Sequence, residues 1–283
     1  MAAIPHTRIA GAAKSRAQSP SSGPGDSARQ TGVSFDIPDL DQHLNGGMWT
    51  NALHEVRCSL ARDFAGAAGF ALGLAAQFGK QDARTILWVI DPAAPVDSGL
   101  PFPDGLSEHG IDPKAMVFVR PITLQDALWS ADQAAKCSDL SAVIFQVKGN
   151  PKPFDMTATR RLMLRARESG VLVCVLRQSG AEEAGAAATR WHVEIMPSEP
   201  DTDFEYGPGQ ARHVHTLERN RHGRTGQWTL VWNPENRAFE DGTSEDVTSK
   251  TQTTHRVHRI HASAHRPDSP VEVGQVVDFE RAS

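Results

Sequence analysis

The sequence predicts an α/β fold: a mainly parallel sheet flanked by helices, with antiparallel strands at its C-terminal edge and disordered segments at both ends of the chain. Three observations carry this. Short apolar runs rich in Val, Ile and Leu alternate with longer stretches of helical period. The runs are continuous rather than alternating, as in strands buried on both faces. After about residue 190 the pattern becomes alternating, with turns between the runs.

The elements follow in order. Strands are expected at "ALHEV" (52–56), "TILWVI" (85–90), "AMVFVR" (115–120), "SAVIFQV" (141–147) and "GVLVCVL" (170–176). Between them lie a helix over about 63–79, a second in "TLQDALWSADQAAKC" with Thr123 as N-cap, and a third in "FDMTATRRLMLRARES" with Asp155 as N-cap and Gly170 as stop. Repeated β-α-β units imply parallel strands under helices. "RWHVEIMPS", "ARHVHTLERNRHG" and "GQWTLVW" then read as the antiparallel edge. Residues 31–240 form one core domain. Residues 1–30 and 241–283 are too polar and too rich in Ser, Pro and Gly to offset chain entropy, so both read as disordered. Near the end, "PVEVGQVVDF" is either a docking motif or an apolar tail.

Composition sets limits. A formal net charge of -5 excludes a protein whose whole surface grips nucleic acid, and any such contact must use a local patch. Cys58, Cys137 and Cys174 are odd in number and far apart, which fits a reducing cytoplasm and excludes a disulfide framework. No apolar stretch has the form of a signal peptide or a membrane span, so a cytoplasmic protein is expected.

The stretch "HEVRCSLARDF" (54–64) stands where a phosphate-binding loop would follow the first strand. Such a loop needs glycines for close backbone approach, Lys for the β- and γ-phosphates and Ser or Thr for Mg²⁺. Here Cys58 and Asp63 replace the two glycines, Phe64 replaces Lys and Ala65 replaces Ser/Thr. The strand that should end in a Mg²⁺-ordering Asp offers Gln146. Asp91 ends its strand, but no Glu follows to activate water. The expectation is a non-enzymatic protein with no nucleotide cofactor and no catalytic residues.

The ordered series "ALHEV", "AGAAGFALGLAAQ", "ILWV", "GLPFPDGLSEHGIDPKAMVFVRP", "DALWSADQA", "RRLMLRARESGVLVCVL", "ATRWHVEIMPS" and "GQWTLVWNPE" resembles the ImuA family, RecA-like proteins of α-proteobacteria without a working nucleotide site. The resemblance covers roughly residues 35–240. It implies a RecA-like core and an accessory scaffold in SOS-induced translesion DNA synthesis. It also implies protein partners: an ImuB-like inactive relative of Y-family polymerases, an error-prone replicative-type polymerase, and RecA. The alternatives are a SulA-like cell-division inhibitor and an active RecA-like ATPase with an atypical phosphate loop.

Other residues have competing readings. Arg212, Arg219, Arg221 and Arg224, with Trp228 close in sequence, form a local basic patch suited to a partner or to DNA, or else a solvated hairpin face. Arg160, Arg161, Arg165 and Arg167 read as the outer face of a helix, and Trp88, Trp191, Trp228 and Trp232 as core or sheet-edge packing. His255, His258, His261 and His265 lie in a low-complexity tail without Cys or a well-placed carboxylate, so no metal site is expected. The helix N-terminus near Cys58 would lower its pKa, but no partner in sequence suggests a nucleophile.

Overall fold

The computed structural model describes residues 32–79, 85–94, 99–198 and 210–242. Residues 1–31 and 243–283, with the expected disordered segments, the apolar stretch 270–279 and His255, His258, His261 and His265, lie outside the described residues. Asp241, placed with the tail from sequence, instead closes the last strand.

A two-stranded antiparallel ribbon comes first: β1 (Gly32–Val33) and β2 (Met48–Trp49), joined through α1 (Pro38–His43). The chain then enters the middle of the main sheet at β3 (Leu53–Cys58). It continues through α2 (Phe64–Phe78), β4 (Thr85–Ile90), α3 (Pro103–Glu108), β5 (Met116–Val119), α4 (Leu124–Ala134), β6 (Leu140–Lys148), α5 (Met156–Ser169) and β7 (Leu172–Gln178). It finishes with β8 (Thr189–Met196), β9 (Arg212–Asn220), β10 (Gly226–Asn233) and β11 (Ala238–Asp241). The nine strands lie in the order β11-β10-β9-β8-β3-β7-β6-β4-β5. Pairings from β5 to β8 are parallel, and those from β8 to β11 antiparallel. "RWHVEIMPS" is therefore not simply an edge strand: β8 runs parallel to β3 on one side and antiparallel to β9 on the other.

Local chemistry explains the boundaries. Thr123 accepts the Asp126 N–H at 3.1 Å and Asp155 accepts the Ala158 N–H at 2.8 Å, so both caps satisfy donors that the first helical turn leaves free. Gly170 ends α5 with φ +79°, a left-handed conformation that a Cβ would strain. Two cores flank the sheet. On one face α2 packs Phe64, Ala67, Phe70, Leu74 and Phe78 against Val56, Ile144, Leu172 and Trp191. On the other, α4 and α5 place Ala127, Leu128, Ala131, Leu162 and Ala166 over Val143, Phe145, Val173 and Val175. Each buried Val, Leu, Ile or Phe contributes roughly 1.5–3 kcal/mol.

The Ala- and Gly-rich composition of α2 has a steric cause. A Cβ on Gly66 would lie 2.3 Å from the His213 ring, and one on Gly73 would lie 2.3 Å from Phe239. The helix can lie against β9 and β11 only because these two positions lack side chains. Among the described residues no helix is long and apolar enough to cross a membrane.

Candidate functional site

β3 ends at Cys58 and turns through Ser59 and Leu60 into a short 3₁₀ turn, Ala61–Asp63, that opens α2. This is the strand–turn–helix where a phosphate loop would sit, and its side chains are committed elsewhere. Cys58 and Phe64 are in the core. Ala65 is exposed. Asp63 is buried, and its Oδ1 accepts the Ile195 N–H at 3.1 Å, tying the turn to β8. The carboxylate at the start of α2 thus occupies the electropositive end that would otherwise attract a phosphate. Burial pushes the Cys58 thiol up, opposite to the direction expected from the helix end alone.

The acidic positions are equally committed. Gln146 is buried and its Oε1 accepts the Trp88 indole N–H at 3.2 Å. Asp91 is buried and accepts N–H groups from Ala93 at 2.9 Å and Lys148 at 3.1 Å, pinning the end of β4 to the end of β6.

The strongest electrostatic feature went unread in the sequence. Glu55 of β3 is buried and accepts Arg177 Nε of β7 at 2.8 Å and Arg190 Nε of β8 at 3.2 Å. Arg177 also donates to the Gly149 carbonyl at 2.6 Å, and Arg190 to Glu182 at 3.2 Å and to the Glu183 carbonyl. Next to it, Arg57 makes a two-pronged pair with Glu218, with Nε to Oε2 at 2.7 Å. The irregular segment 179–188 covers this cluster, where the other parallel connections on this face use a helix. The partners lie far apart along the chain, so no local motif announces them.

The basic patch read from sequence is dispersed. Arg212 and Arg219 are seven residues apart on β9, or about 23 Å at about 3.3 Å per residue. Arg190 pairs with Arg219 and Trp191 with Leu217, so Glu218 is an extra residue in a β-bulge. Arg219 donates to the Gly185 carbonyl at 2.9 Å, and Arg221 to Ala187 and Gly185 carbonyls at 3.0 Å each. Both hold down segment 179–188. Arg212 donates to the Gly242 carbonyl at 2.7 Å, and Arg224 is exposed in the β9–β10 turn. Trp228 is not a surface anchor: it is buried, its indole N–H donates to Asp39 at 2.9 Å, and it packs near Trp191. On α5, Arg160, Arg161 and Arg167 are exposed as expected, and the half-buried Arg165 pairs with Glu168 at 3.0 Å.

His54 is buried beneath β2. Its Nε2 donates to the Trp49 carbonyl at 2.7 Å, because a carbonyl can only accept. Its Nδ1 therefore accepts from the Thr189 hydroxyl at 2.7 Å, and Thr189 in turn accepts the Trp191 indole N–H at 3.0 Å. Burial lowers the His54 pKa to about 4, so this chain is built on the neutral ring. Among the described residues no group of three or more His, Cys, Asp or Glu is placed to hold a metal ion. In comparisons with known proteins, no family model matches the chain and no curated protein matches it.

Proposed function

We propose that this protein is a RecA-like accessory scaffold in translesion DNA synthesis that neither binds nor turns over nucleotide. One observation carries the reading. The strand–turn–helix after a central parallel strand is retained, while the three positions that nucleotide chemistry requires serve the fold: Asp63 on β8, Gln146 on Trp88, and Asp91 across the ends of β4 and β6. A mainly parallel sheet flanked by helices, with antiparallel strands at its C-terminal end, supports the reading. The partners under this reading are an inactive Y-family-like polymerase, an error-prone replicative-type polymerase and RecA. DNA contact is weak or indirect, since Arg219 and Arg221 are engaged with backbone carbonyls.

Two measurements test it. Calorimetric titration with ATP and Mg²⁺ should give no binding tighter than roughly millimolar, because the glycine N–H groups and the Lys charge that supply phosphate affinity are missing. The purified chain should still retain an ImuB-like polymerase homologue on an affinity matrix in nucleotide-free buffer. Micromolar ATP affinity, or loss of the homologue on washing, overturns the reading.

A further inference from the structure

Ser59, His192 and Glu194 meet because of strand register. Arg57 of β3 lies opposite His192 of β8 in the parallel pair. Side chains repeat every second residue on one face of a strand. Ser59, two residues beyond Arg57, therefore projects on the face that carries His192, and Glu194 follows His192 on that same face. The resulting distances are 2.9 Å from Ser59 Oγ to His192 Nε2 and 3.6 Å from His192 Nδ1 to Glu194 Oε2. We propose that this trio is a nucleophile, base and orienting carboxylate for acyl transfer from small esters, an activity independent of the scaffold reading.

The geometry meets the requirements in turn. A serine hydroxyl is a weak nucleophile until a base within about 2.6–3.2 Å accepts its proton. For Nε2 to accept, the His192 proton must sit on Nδ1, the nitrogen that faces Glu194. Oγ also lies 3.4 Å from Arg57 Nη1, and that guanidinium is held in place by Glu218. A fixed positive charge beside the hydroxyl favours negative charge developing on oxygen. Ser59 stands at the carboxyl end of β3, where the chain turns sharply into α2. The adjacent Asp63 carboxylate is turned away to the Ile195 N–H.

Access sets the substrate class. Ser59 and Glu194 are exposed, and Leu60 beside the serine is 49% exposed, so an acyl group would rest on an open apolar side chain. That suits a small ester and excludes a substrate needing a deep pocket. In the reaction the Ser59 Oγ–carbonyl carbon bond forms and the ester C–O bond breaks. The Oγ proton passes to His192 Nε2 and then to the departing alkoxide. Water, deprotonated by the same nitrogen, releases the acid and restores the hydroxyl.

A fluorophosphonate reporter and 4-nitrophenyl acetate, applied to the full chain, provide the test. Ser59 Oγ should displace fluoride and carry the phosphonyl group, located by peptide mass spectrometry. Ser59→Ala should lose that adduct and the ester hydrolysis. His192→Gln should slow both by roughly 10²–10⁴-fold, as for loss of a general base. Glu194→Gln should slow them roughly fivefold or less, the effect of an exposed ion pair. All three variants should keep the wild-type circular dichroism. An adduct on another residue, a Ser59→Ala protein as active as wild type, or a His192→Gln protein labelled at the wild-type rate overturns the proposal.

Discussion

The parallel half of the sheet, β5 to β3, and the antiparallel wing, β8 to β11, handle polar groups in opposite ways. In the parallel half both faces are covered, and β7 is buried along its whole length. Glu55, Asp91 and Gln146 survive there only because each is hydrogen-bonded. In the wing, among the described residues, the helix α2 packs on one face and no helix packs on the other. Leu217 and Trp228 point into that core, while Thr216 and Gln227 on the other face bond to each other at 2.9 Å. The contrast teaches that double coverage forces every polar side chain in the parallel half onto a fixed partner. Reactive side chains remain where the cover stops.

Glu55 joins the two halves, because Arg177 comes from one and Arg190 from the other. Cutting that tie is the largest expected effect. Glu55→Ala leaves two buried guanidinium groups without their carboxylate, a loss of about 3–5 kcal/mol. Urea unfolding would show it as a lower midpoint, and for a core of this size the melting temperature should fall by roughly 10 °C. A loss below about 1 kcal/mol would mean that Glu182 and Glu183 take over the arginines, and the seam would no longer depend on Glu55.

Acid sharpens the comparison next, since both strongly shifted histidines lie against the wing. Burial lowers His54 to about 4 and His215 to about 3. The unfolded chain takes up these protons near pH 6.5, whereas the folded chain resists until well below. The stabilisation is therefore complete above pH 6.5 and is lost as pH falls toward 4. Each group adds a slope of about 1.4 kcal/mol per pH unit in that window. Between pH 7 and 5 the two together should cost about 2–4 kcal/mol. Urea midpoints of wild type and His215→Leu across this range isolate one group: the variant should show a visibly shallower decline. Parallel curves would mean that His215 is protonated in the folded protein.

The same contrast explains what could be read in advance. β4 was legible to the residue because a doubly buried parallel strand writes itself as an unbroken apolar run. The caps Thr123 and Asp155 and the stop Gly170 were legible because their chemistry is local. β1, β2, α1, α3 and β11 are too short to display a period, and none was anticipated. The absence of phosphate-loop residue types at 58–65 is visible in the sequence because it is a comparison of residue types at fixed spacing. The Glu55 cluster and the Ser59–His192 contact are not, since their partners stand 122, 135 and 133 residues apart and meet only through strand register. The four arginines show how strand geometry rearranges residues that are close in sequence. Proximity in sequence suggested a patch, but an extended strand separates Arg212 from Arg219, and the bulge at Glu218 turns Arg219 onto the segment 179–188.

The smallest expected effect concerns how closely the wing approaches α2, and a pair of glycines measures it. Replacing glycine by alanine within a helix should stabilise by about 0.5–1 kcal/mol when nothing intervenes, because alanine loses less backbone entropy. At Gly69 a Cβ has only His109 Nε2 within 4 Å, at 3.9 Å, so Gly69→Ala should gain that amount. At Gly73 the same Cβ would meet Phe239 at 2.3 Å and Trp232 at 3.0 Å. Phe239 also packs against Phe35 and Phe70, so its ring cannot swing away without disturbing both. Overpacking of this kind costs about 1–3 kcal/mol, which outweighs the helical gain. Gly73→Ala should therefore lose about 1 kcal/mol net while Gly69→Ala gains, and paired thermal melts would display opposite signs. If both variants gained, β11 would be free to shift off the helix, and the close seating of the wing on α2 would not be a fixed feature of the fold.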